Sequence, residues 1–594
     1  MAYEPKGFPL DIFKQRYAFT KDESFSEACE RVARHVSSIE HNNKKLVWHE
    51  RFFEELNENR FVPGGRIWYG CGRPKANLIN CFVASVEDSR EGWGELAKNT
   101  IIISGIGGGV GTNYSKIRPR GTKINGTGGK ATGAVSLMRI INGIAHEIKA
   151  GGGRRSALMM ALDVTHSDII EFLDAKLNKN ELNNANVSVV FNEMSPEEFF
   201  DKVQLGYSGM LKFSWRQEDL GEIPAFEIWQ KIVKNSLESG EPGILNLNLA
   251  NKMSNIYYYK PLECSNPCGE TILHKGSLCC LGHLVLPRFV RDGEVDWDLL
   301  DDTIRISVRF LDNVLSVTNF PLSEFEEETQ KTRRIGLGVT GLHDMLIRLG
   351  LDYTMKKSIK KVDEIFNFIK NRSYEASTYL SAEKGPFPVY DKEMIMKSGF
   401  IKKLKPSVKN RIRQYGLRNC ALNTCAPTGT VSIMSGNCSS GIEPAFGPAW
   451  KRRYIIESED GTENTATEII FHPLFVEMME NDLKYKIENS YDLSIRDHLE
   501  MQSTCQKHID QSISKTILID KSNIDFKEYS ETLMDYLPRI KGLTVYPLDS
   551  RENQPITPMT MDEAIEAWTA KNGENLNECG IVSVDACKDG ACDL

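Results

Sequence analysis

The segment Asn266-Pro-Cys-Gly-Glu270 places an amide, a thiol and a carboxylate at alternate positions. In an extended chain these three would project from one face, because side chains repeat every two residues. Pro267 removes a backbone donor and Gly269 frees φ, so the segment reads as a loop tip and not as an interior strand. Leu262 before it and Leu273 after it would form an apolar stem that carries the tip into the body of the protein. A thiol beside a carboxylate and an amide is equipped for hydrogen-atom or proton transfer. Five residues alone fit a surface loop with an incidental cysteine equally well, so the rest of the chain has to decide.

The chain has 594 residues, 41% hydrophobic and 26% charged, with a net charge of −8. That is globular composition with ample material for a large core. The acidic balance argues against a general nucleic-acid-binding surface. No apolar run is long enough to span a membrane, and the opening Met1-Ala-Tyr-Glu-Pro-Lys-Gly lacks the apolar core of a signal peptide. A cytoplasmic protein follows as the expectation. Its 14 cysteines are then reduced thiols, a few of them in catalytic, redox or metal roles.

Several elements must position the loop. Residues 10–60 carry Phe13, Tyr17, Phe25, Ala28, Val32 and Val36 at helical spacing, continued by Phe52, Phe53 and Leu56, which predicts a small helical domain over 1–75. Phe61-Val-Pro-Gly-Gly-Arg66 reads as the turn that ends it. Beyond it, strand-like runs at Cys81–Ala84, 157–163, 186–191, 243–248 and 541–546 alternate with helical patterns at 137–148, 225–240, 297–318, 339–350 and 356–384. Alternation of this kind predicts a mainly parallel α/β sheet or barrel, assigned here to 76–555 with the loop at 261–273. After Pro555 the core signal fades, and 556–594 reads as a polar, mobile tail ending in Cys587 and Cys592.

Other stretches offer binding chemistry. Glycines crowd 105–133, yet no offset there gives a dinucleotide or P-loop fingerprint, so the stretch suggests flexible loops near a nucleotide at most. Gly151-Gly-Gly-Arg-Arg155 is a basic loop suited to phosphate or carboxylate, or a solvated turn. Arg333-Arg-Ile-Gly-Leu-Gly338 is a basic entry to a helix, and its G-x-G-x-x-G match at Gly336 follows no strand signal, so it reads as chance. Ala426-Pro-Thr-Gly-Thr430 combines a helix-opening proline with threonines and backbone N–H groups facing outward, a cradle for an anion or a plain helix cap. Cys264, Cys268 and the adjacent Cys279 and Cys280 lack the paired knuckles of a zinc ribbon, so no metal is assigned.

In this order the motifs resemble the catalytic subunit of ribonucleotide reductase, from about residue 10 to 555, and most closely the adenosylcobalamin-dependent class II enzymes. The resemblance implies a ten-stranded α/β barrel with a central finger loop, Cys268 at its tip as the thiyl-radical cysteine. Glu270 would be the general base for the 3′-hydroxyl and Asn266 would orient the hydroxyls. Asn80-Cys81 resembles the first barrel strand with one redox cysteine. Ser277-Leu-Cys-Cys-Leu-Gly282 resembles the segment with the second, Cys279 by alignment, although Cys280 stands where the family usually has Asn. Asn80, Pro427, Thr428, Gly429, Thr430 and Val431 match substrate-binding positions. Asp88, Arg118, Gly152, Gly153, Arg154 and Arg155 match positions that bind a deoxynucleoside triphosphate effector or report its identity. The resemblance also implies that Cys587 and Cys592 relay electrons from a thioredoxin-like reductant, and that the enzyme is a homodimer. No adjacent tyrosines follow residue 259, and Lys541-Gly-Leu-Thr-Val-Tyr546 and the residues to Pro555 resemble the class II ending. Arg334-Ile-Gly-Leu-Gly and Ser439-Ser-Gly-Ile-Glu443 point the same way. The short N-terminal region leaves little room for an ATP-cone domain. A class I large subunit, which needs a separate radical-generating subunit, is the alternative.

Overall fold

A computed structural model describes residues 2–124, 126, 128–148, 157–177, 181–457, 463–481, 483–548 and 556–573. Helices Phe8–Arg16, Phe25–Ser37 and Asn42–Asn57 open the chain. The second starts with a capping box, in which the Ser24 hydroxyl accepts from Glu27 N at 3.2 Å and Ser24 N donates to the Glu27 carboxylate at 2.7 Å. Such a cap is worth about 1 kcal/mol. Phe25, Ala28, Val32 and Val36 are buried along its inner face, as their spacing predicts.

The expected turn at 61–66 is instead a strand followed by a short helix. Strand β1, Phe61–Pro63, pairs antiparallel with the strand Leu278–Val285 through Phe61↔Leu284. Its aromatic and β-branched residues suit a buried strand, and Phe61 meets Phe310 edge-on at 5.2 Å.

Nine further strands build the central sheet: β2 (Cys81–Val83), β3 (Gly109–Asn113), β4 (Leu158–Asp163), β5 (Ala185–Phe191), β6 (Gly243–Asn246), β7 (Leu278–Val285), β8 (Ile335–Thr340), β9 (Thr516–Ile519) and β10 (Gly542–Pro547). Strands β2 to β6 lie side by side and parallel. Strand β6 turns antiparallel to β10, which runs parallel to β9. On the far side β2 is antiparallel to β7, and β7 is parallel to β8. The gap between β8 and β9 is closed by residues 421–425. Leu337 pairs parallel with Asn423, Cys425 pairs parallel with Ile513, and Leu337 N donates to Leu422 O at 2.7 Å. The result is a closed barrel of two parallel halves, joined by antiparallel seams at β6/β10 and β2/β7. Closure removes the sheet edges. Strands β4 and β8 are buried throughout, as befits parallel strands covered on both faces. Helix Trp297–Val317 covers the outside of β7 and β8.

The segment 261–273 enters this barrel as a finger. Cys264–Ser265 pairs antiparallel with Ile272–Leu273, forming the stem. A side chain on Gly111 would place Cβ 1.8 Å from Ser265 O, and one on Gly109 would meet Pro267 Cγ at 2.7 Å. The glycines of β3, read from the sequence as loops near a nucleotide, are therefore strand residues that admit the finger. The Gly336 match is likewise explained by packing: a Cβ there would lie 2.8 Å from Cys279 Sγ, inside strand β8.

Ordered structure continues past 555. Backbone 556–559 pairs antiparallel with Ala449–Arg452, and helix Met561–Gly573 follows, with Ala564 buried against Phe475. Residues 574–594 lie outside the described range.

Gly111→Ala is expected to destabilise the fold at the upper end of the ~1–3 kcal/mol seen for overpacked cores, because the obstacle is backbone and cannot rotate away. Helical Gly105 has no heavy atom within 4 Å of its added Cβ, so Gly105→Ala should be neutral or slightly stabilising. Urea unfolding midpoints at constant m-value compare the two.

Candidate active site

The finger tip is a loop tip, as Pro267 and Gly269 suggest, and it turns tightly where the alternating side chains would run extended. Gly269 N donates to Asn266 O at 3.0 Å across Pro267 and Cys268, and Gly269 takes φ +86°. The turn groups two of the three side chains, Asn266 and Glu270, around Cys81. Asn266 Oδ1 accepts from Thr271 N at 3.1 Å and from its hydroxyl at 3.2 Å. Asn266 Nδ2 then donates to Cys81 Sγ at 3.3 Å, and Cys81 Sγ lies 3.6 Å from Glu270 Oε1. Asn266 and Glu270 are buried, whereas Cys268 is exposed at the very tip.

Contacts from both halves of the barrel fix the finger. Asn186 on β5 donates to Pro267 O at 2.9 Å, and Asn113 on β3 donates to Glu263 O at 2.9 Å. From the opposite half, Thr424 Oγ1 donates to Glu270 O at 2.5 Å and Ser512 N to the same oxygen at 3.0 Å. Asn113, Asn186, Thr424 and Ser512 carried no signal in the sequence, since each is one polar residue in a strand or loop whose partner lies far away in the chain.

Glu270 Oε2 is buried without a hydrogen-bond partner. Burial raises the Glu270 pKa above the usual carboxylate range, partly offset by hydrogen bonding from Asn266 and Cys81. A carboxyl so placed has one acceptor unused and an elevated proton affinity, which suits a general base for a hydroxyl brought into the barrel.

The two candidate redox cysteines face each other. Cys279 on β7 is the cross-strand partner of Cys81 on β2. Residues directly opposite in an antiparallel pair have Cα atoms about 4.5–5.5 Å apart, within the range that a disulfide spans. Cys280 is excluded from this pairing by the pleat. It packs with the core outside the barrel, while Cys81 and Cys279 share the inner cluster with Leu262, Cys264 and Ile272 of the finger. Burial pushes the Cys279 thiol pKa well up.

At the mouth, the expected cradle is helix Gly429–Met434, capped by Thr428 in the left-handed region at φ +57°. Its threonines do not face outward as the sequence suggested. Thr428 Oγ1 accepts from Gly441 N at 2.8 Å and meets Thr340 Oγ1 at 3.0 Å, and the Thr430 hydroxyl contacts that of Tyr17. The backbone N–H groups of Gly429, Thr430 and Val431 form the first turn and have no intrahelical acceptor, which leaves them for an anion. Pro427 precedes them half-buried, as does Asn80 ahead of β2, where Asn80 O accepts from Gly109 N at 2.8 Å. Because 421–425 runs antiparallel to β2, this cradle and Asn80 open at the same end of the barrel.

Outside the barrel, Asp88 and Arg118 form an ion pair at 2.9 Å, and Arg118 N also donates to Asp88 at 3.2 Å. Arg216, at the tip of a hairpin, reaches within 3.8 Å of the same carboxylate and was not foreseen from the sequence. Gly152, Gly153, Arg154, Arg155, Cys587 and Cys592 lie outside the described residues. No helix among the described residues is long and apolar enough to cross a membrane.

A closed barrel of two parallel halves, threaded by a thiol-tipped finger, is the architecture of ribonucleotide reductase catalytic chains. Residues 79–546 match the ribonucleotide reductase barrel domain, and residues 3–76 match the all-alpha domain of that enzyme. The chain belongs to the ribonucleotide reductase family. It is 29% identical to a vitamin B12-dependent ribonucleoside-diphosphate reductase of Mycobacterium tuberculosis, over 92% of this chain and 80% of that protein. It is 32% identical to a reductase of the same name from Thermoplasma acidophilum, over 91% of this chain and 71% of the relative. A ribonucleoside-diphosphate reductase subunit alpha of Chlamydia muridarum is 26% identical over 68% of this chain and 43% of its own length.

A carboxyl whose pKa is higher folded than unfolded stabilises the fold below its unfolded value, and that stability is lost as pH rises through the folded value. Glu270→Gln, permanently neutral, is therefore expected to raise Tm relative to the parent at about pH 8. The gain should vanish near pH 4, where both forms are neutral. Thermal scans across pH check this, and the same variant should lose catalysis.

Proposed function

We propose that this protein reduces ribonucleotides to 2′-deoxyribonucleotides by a thiyl-radical mechanism of the class II type, with ribonucleoside diphosphates as the first substrates to test. The observation that carries the reading is the arrangement at the finger. An exposed thiol at its tip is two residues from a buried carboxylate with an unused oxygen, and two further thiols face each other across paired strands.

Adenosylcobalamin is the proposed cofactor, supported by the names of the two B12-dependent relatives and by the absence of adjacent tyrosines after residue 259. The exposed Cys268 thiol fits a radical source that approaches from outside the chain. When bound, the cofactor supplies a carbon-centred radical. Cys268 gives up its hydrogen atom and, as a thiyl, takes the 3′-hydrogen of the substrate. Glu270 receives the 3′-hydroxyl proton on its unpartnered oxygen, while Asn266 holds Cys81 and orients the substrate hydroxyls. Cys81 and Cys279 deliver the protons and electrons that accompany loss of the 2′-hydroxyl as water, and they close to a disulfide. The N–H groups of Gly429, Thr430 and Val431, with Asn80, hold the substrate phosphates at the mouth.

Regulation and electron supply complete the proposal. Asp88 and Arg118, with the 152–155 loop, serve a deoxynucleoside triphosphate effector in a homodimer. Cys587 and Cys592 on the segment 556–594 carry electrons from a thioredoxin-like protein in the cytoplasm. The divisions are a helical unit over 1–75, a catalytic barrel over 76–555 and a redox tail.

Incubation with a ribonucleoside diphosphate, adenosylcobalamin and a dithiol, with no second subunit, is expected to yield deoxyribonucleotide. Activity that ignores cobalamin and needs an added metal-bearing subunit would establish the class I reading. Cys268→Ser should abolish turnover and leave substrate binding within about twofold, since an O–H bond is too strong to give the radical and the shape barely changes.

The Cys587→Ser/Cys592→Ser double variant should lose multiple turnover with thioredoxin but complete one turnover from a pre-reduced site. A small dithiol should restore much of the rate by direct exchange at the barrel. Cys579→Ser is the control and should remain active. Rapid-quench product counts separate these outcomes, and loss of the first turnover would show that the tail thiols have another role.

A further inference from the structure

Behind the cysteine pair lies a buried cation with no obvious counter-charge. Arg334 is only 4% exposed. Among the described residues its Nε has no hydrogen-bond partner, and its side-chain hydrogen bond is a long one, Nη1 to Gln511 Oε1 at 3.5 Å. The neighbouring carboxylate, Asp510, is occupied: it accepts from Tyr374 Oη at 2.6 Å and from Leu422 N and Asn423 N at 2.8 Å each. A guanidinium held out of water without a compensating charge is costly, so an anion is expected to face it in some state of the protein.

The strand register names that anion. Cys280 on β7 pairs in parallel with Ile335 on β8, so the preceding residues, Cys279 and Arg334, stand side by side. Cys280 and Ile335 pack outward together, which leaves Cys279 and Arg334 directed to the barrel interior. There Arg334, Gln511, Asp510 and Lys541 line a small cavity against Leu262 and Ile272 of the finger stem. Cys81 on β2, Cys279 on β7 and Arg334, the residue that leads into β8, thus stand in one row. Gln511 is fixed in place by its own donor bond to Ile335 O at 2.8 Å.

We infer that Arg334 is a positioning residue for disulfide turnover, holding Cys279 as a thiolate when the Cys81–Cys279 disulfide is re-reduced. The inference rests on the reading of that pair as the redox couple. A dithiol reductant, as its thiolate, attacks Cys81 Sγ and forms a mixed disulfide. The Cys81–Cys279 bond breaks, and its electron pair leaves on Cys279 Sγ beside Arg334. The second reductant sulfur, deprotonated, then attacks the reductant's sulfur in the mixed disulfide and releases Cys81. The two protons lost by the reductant are taken up by Cys279 and Cys81. The sulfur better stabilised as an anion leaves faster, so Arg334 directs attack to Cys81.

The charged and titratable groups facing Cys279 are Arg334, Asp510, Glu270 and Cys81, with Lys541 one step behind. Burial raises the thiol's pKa, Arg334 opposes it most, Glu270 adds to it, and Gln511 and Asp510 act more weakly in opposite senses. Lys541 donates to Asp510 O at 2.6 Å and to Gln511 O at 2.9 Å, and burial lowers its pKa to about 7.

The test uses the full chain oxidised by one turnover without reductant, with the disulfide identified by peptide mass spectrometry. Reduction by dithiothreitol is then timed across pH in the parent, Arg334→Met, Arg334→Lys and Gln511→Glu. Arg334→Met should be slower by about threefold at pH 7, the effect of about one pKa unit at a Brønsted coefficient of about 0.5. The deficit should stay constant as pH rises, because the guanidinium remains charged and the reductant's thiolate fraction is common to every variant, and Arg334→Lys should recover most of the rate. Gln511→Glu offsets the guanidinium's charge without removing it and should also slow reduction, which tests the charge even if Arg334→Met does not fold. Parent-like rates in Arg334→Met or in Gln511→Glu, or an Arg334→Lys variant as slow as Arg334→Met, would overturn the inference. A parent that forms no Cys81–Cys279 disulfide would overturn the underlying reading of the pair instead.

Discussion

Everything at the candidate site depends on one close approach, the finger against the glycines of β3. Backbone meets backbone where Ser265 O occupies the space that a Gly111 side chain would need. That contact lets a loop run through a barrel that side chains would otherwise fill. The opposite wall holds the same loop through two donors to Glu270 O, from Thr424 and Ser512. The tip is therefore pinned between the two halves, and the thiol it carries has little freedom of position. Preorganisation of this kind suits radical chemistry, in which a reactive sulfur must meet one hydrogen atom and no other.

Burial then sets the protonation states. Glu270 and Cys279 are both taken out of water, and both are pushed toward their neutral forms. For Glu270 this yields a base of raised proton affinity with one oxygen unused. For Cys279 it yields a thiol that stays protonated until another charge intervenes. The same low-dielectric interior that disfavours these anions makes the unpaired Arg334 guanidinium influential, because electrostatic terms grow as water is removed.

The barrel's two seams give the cysteines their geometry. At the β2/β7 seam an antiparallel register sets Cys81 opposite Cys279. On the other side of β7 a parallel register sets Arg334 beside Cys279. One strand thus reads out two different neighbours at a single residue. The pleat sends Cys280 to the outer face, where it packs with the helices.

The sequence by itself determined the elements and the ingredients. Helical spacing at Phe25, Ala28, Val32 and Val36, apolar runs such as Leu158–Asp163, and the Asn266–Glu270 motif all rest on interactions within a few residues, which local spacing encodes. Tertiary structure decided what each ingredient touches. The finger tip became a turn because Gly269 adopts a positive φ while Asn266 is held by Thr271 and Cys81. The glycines of β3 proved to be clearances for a loop more than 150 residues away in sequence. Phe61 became a strand residue because a distant strand offered it a ladder. Thr428 turned inward because Gly441 and Thr340 lay ready to receive its hydroxyl. The choice between Cys279 and Cys280 was open in the sequence, where the two are adjacent and chemically identical. Strand pairing tells them apart, setting Cys279 opposite Cys81 and Cys280 on the outer face, since register depends on partners that no local window contains.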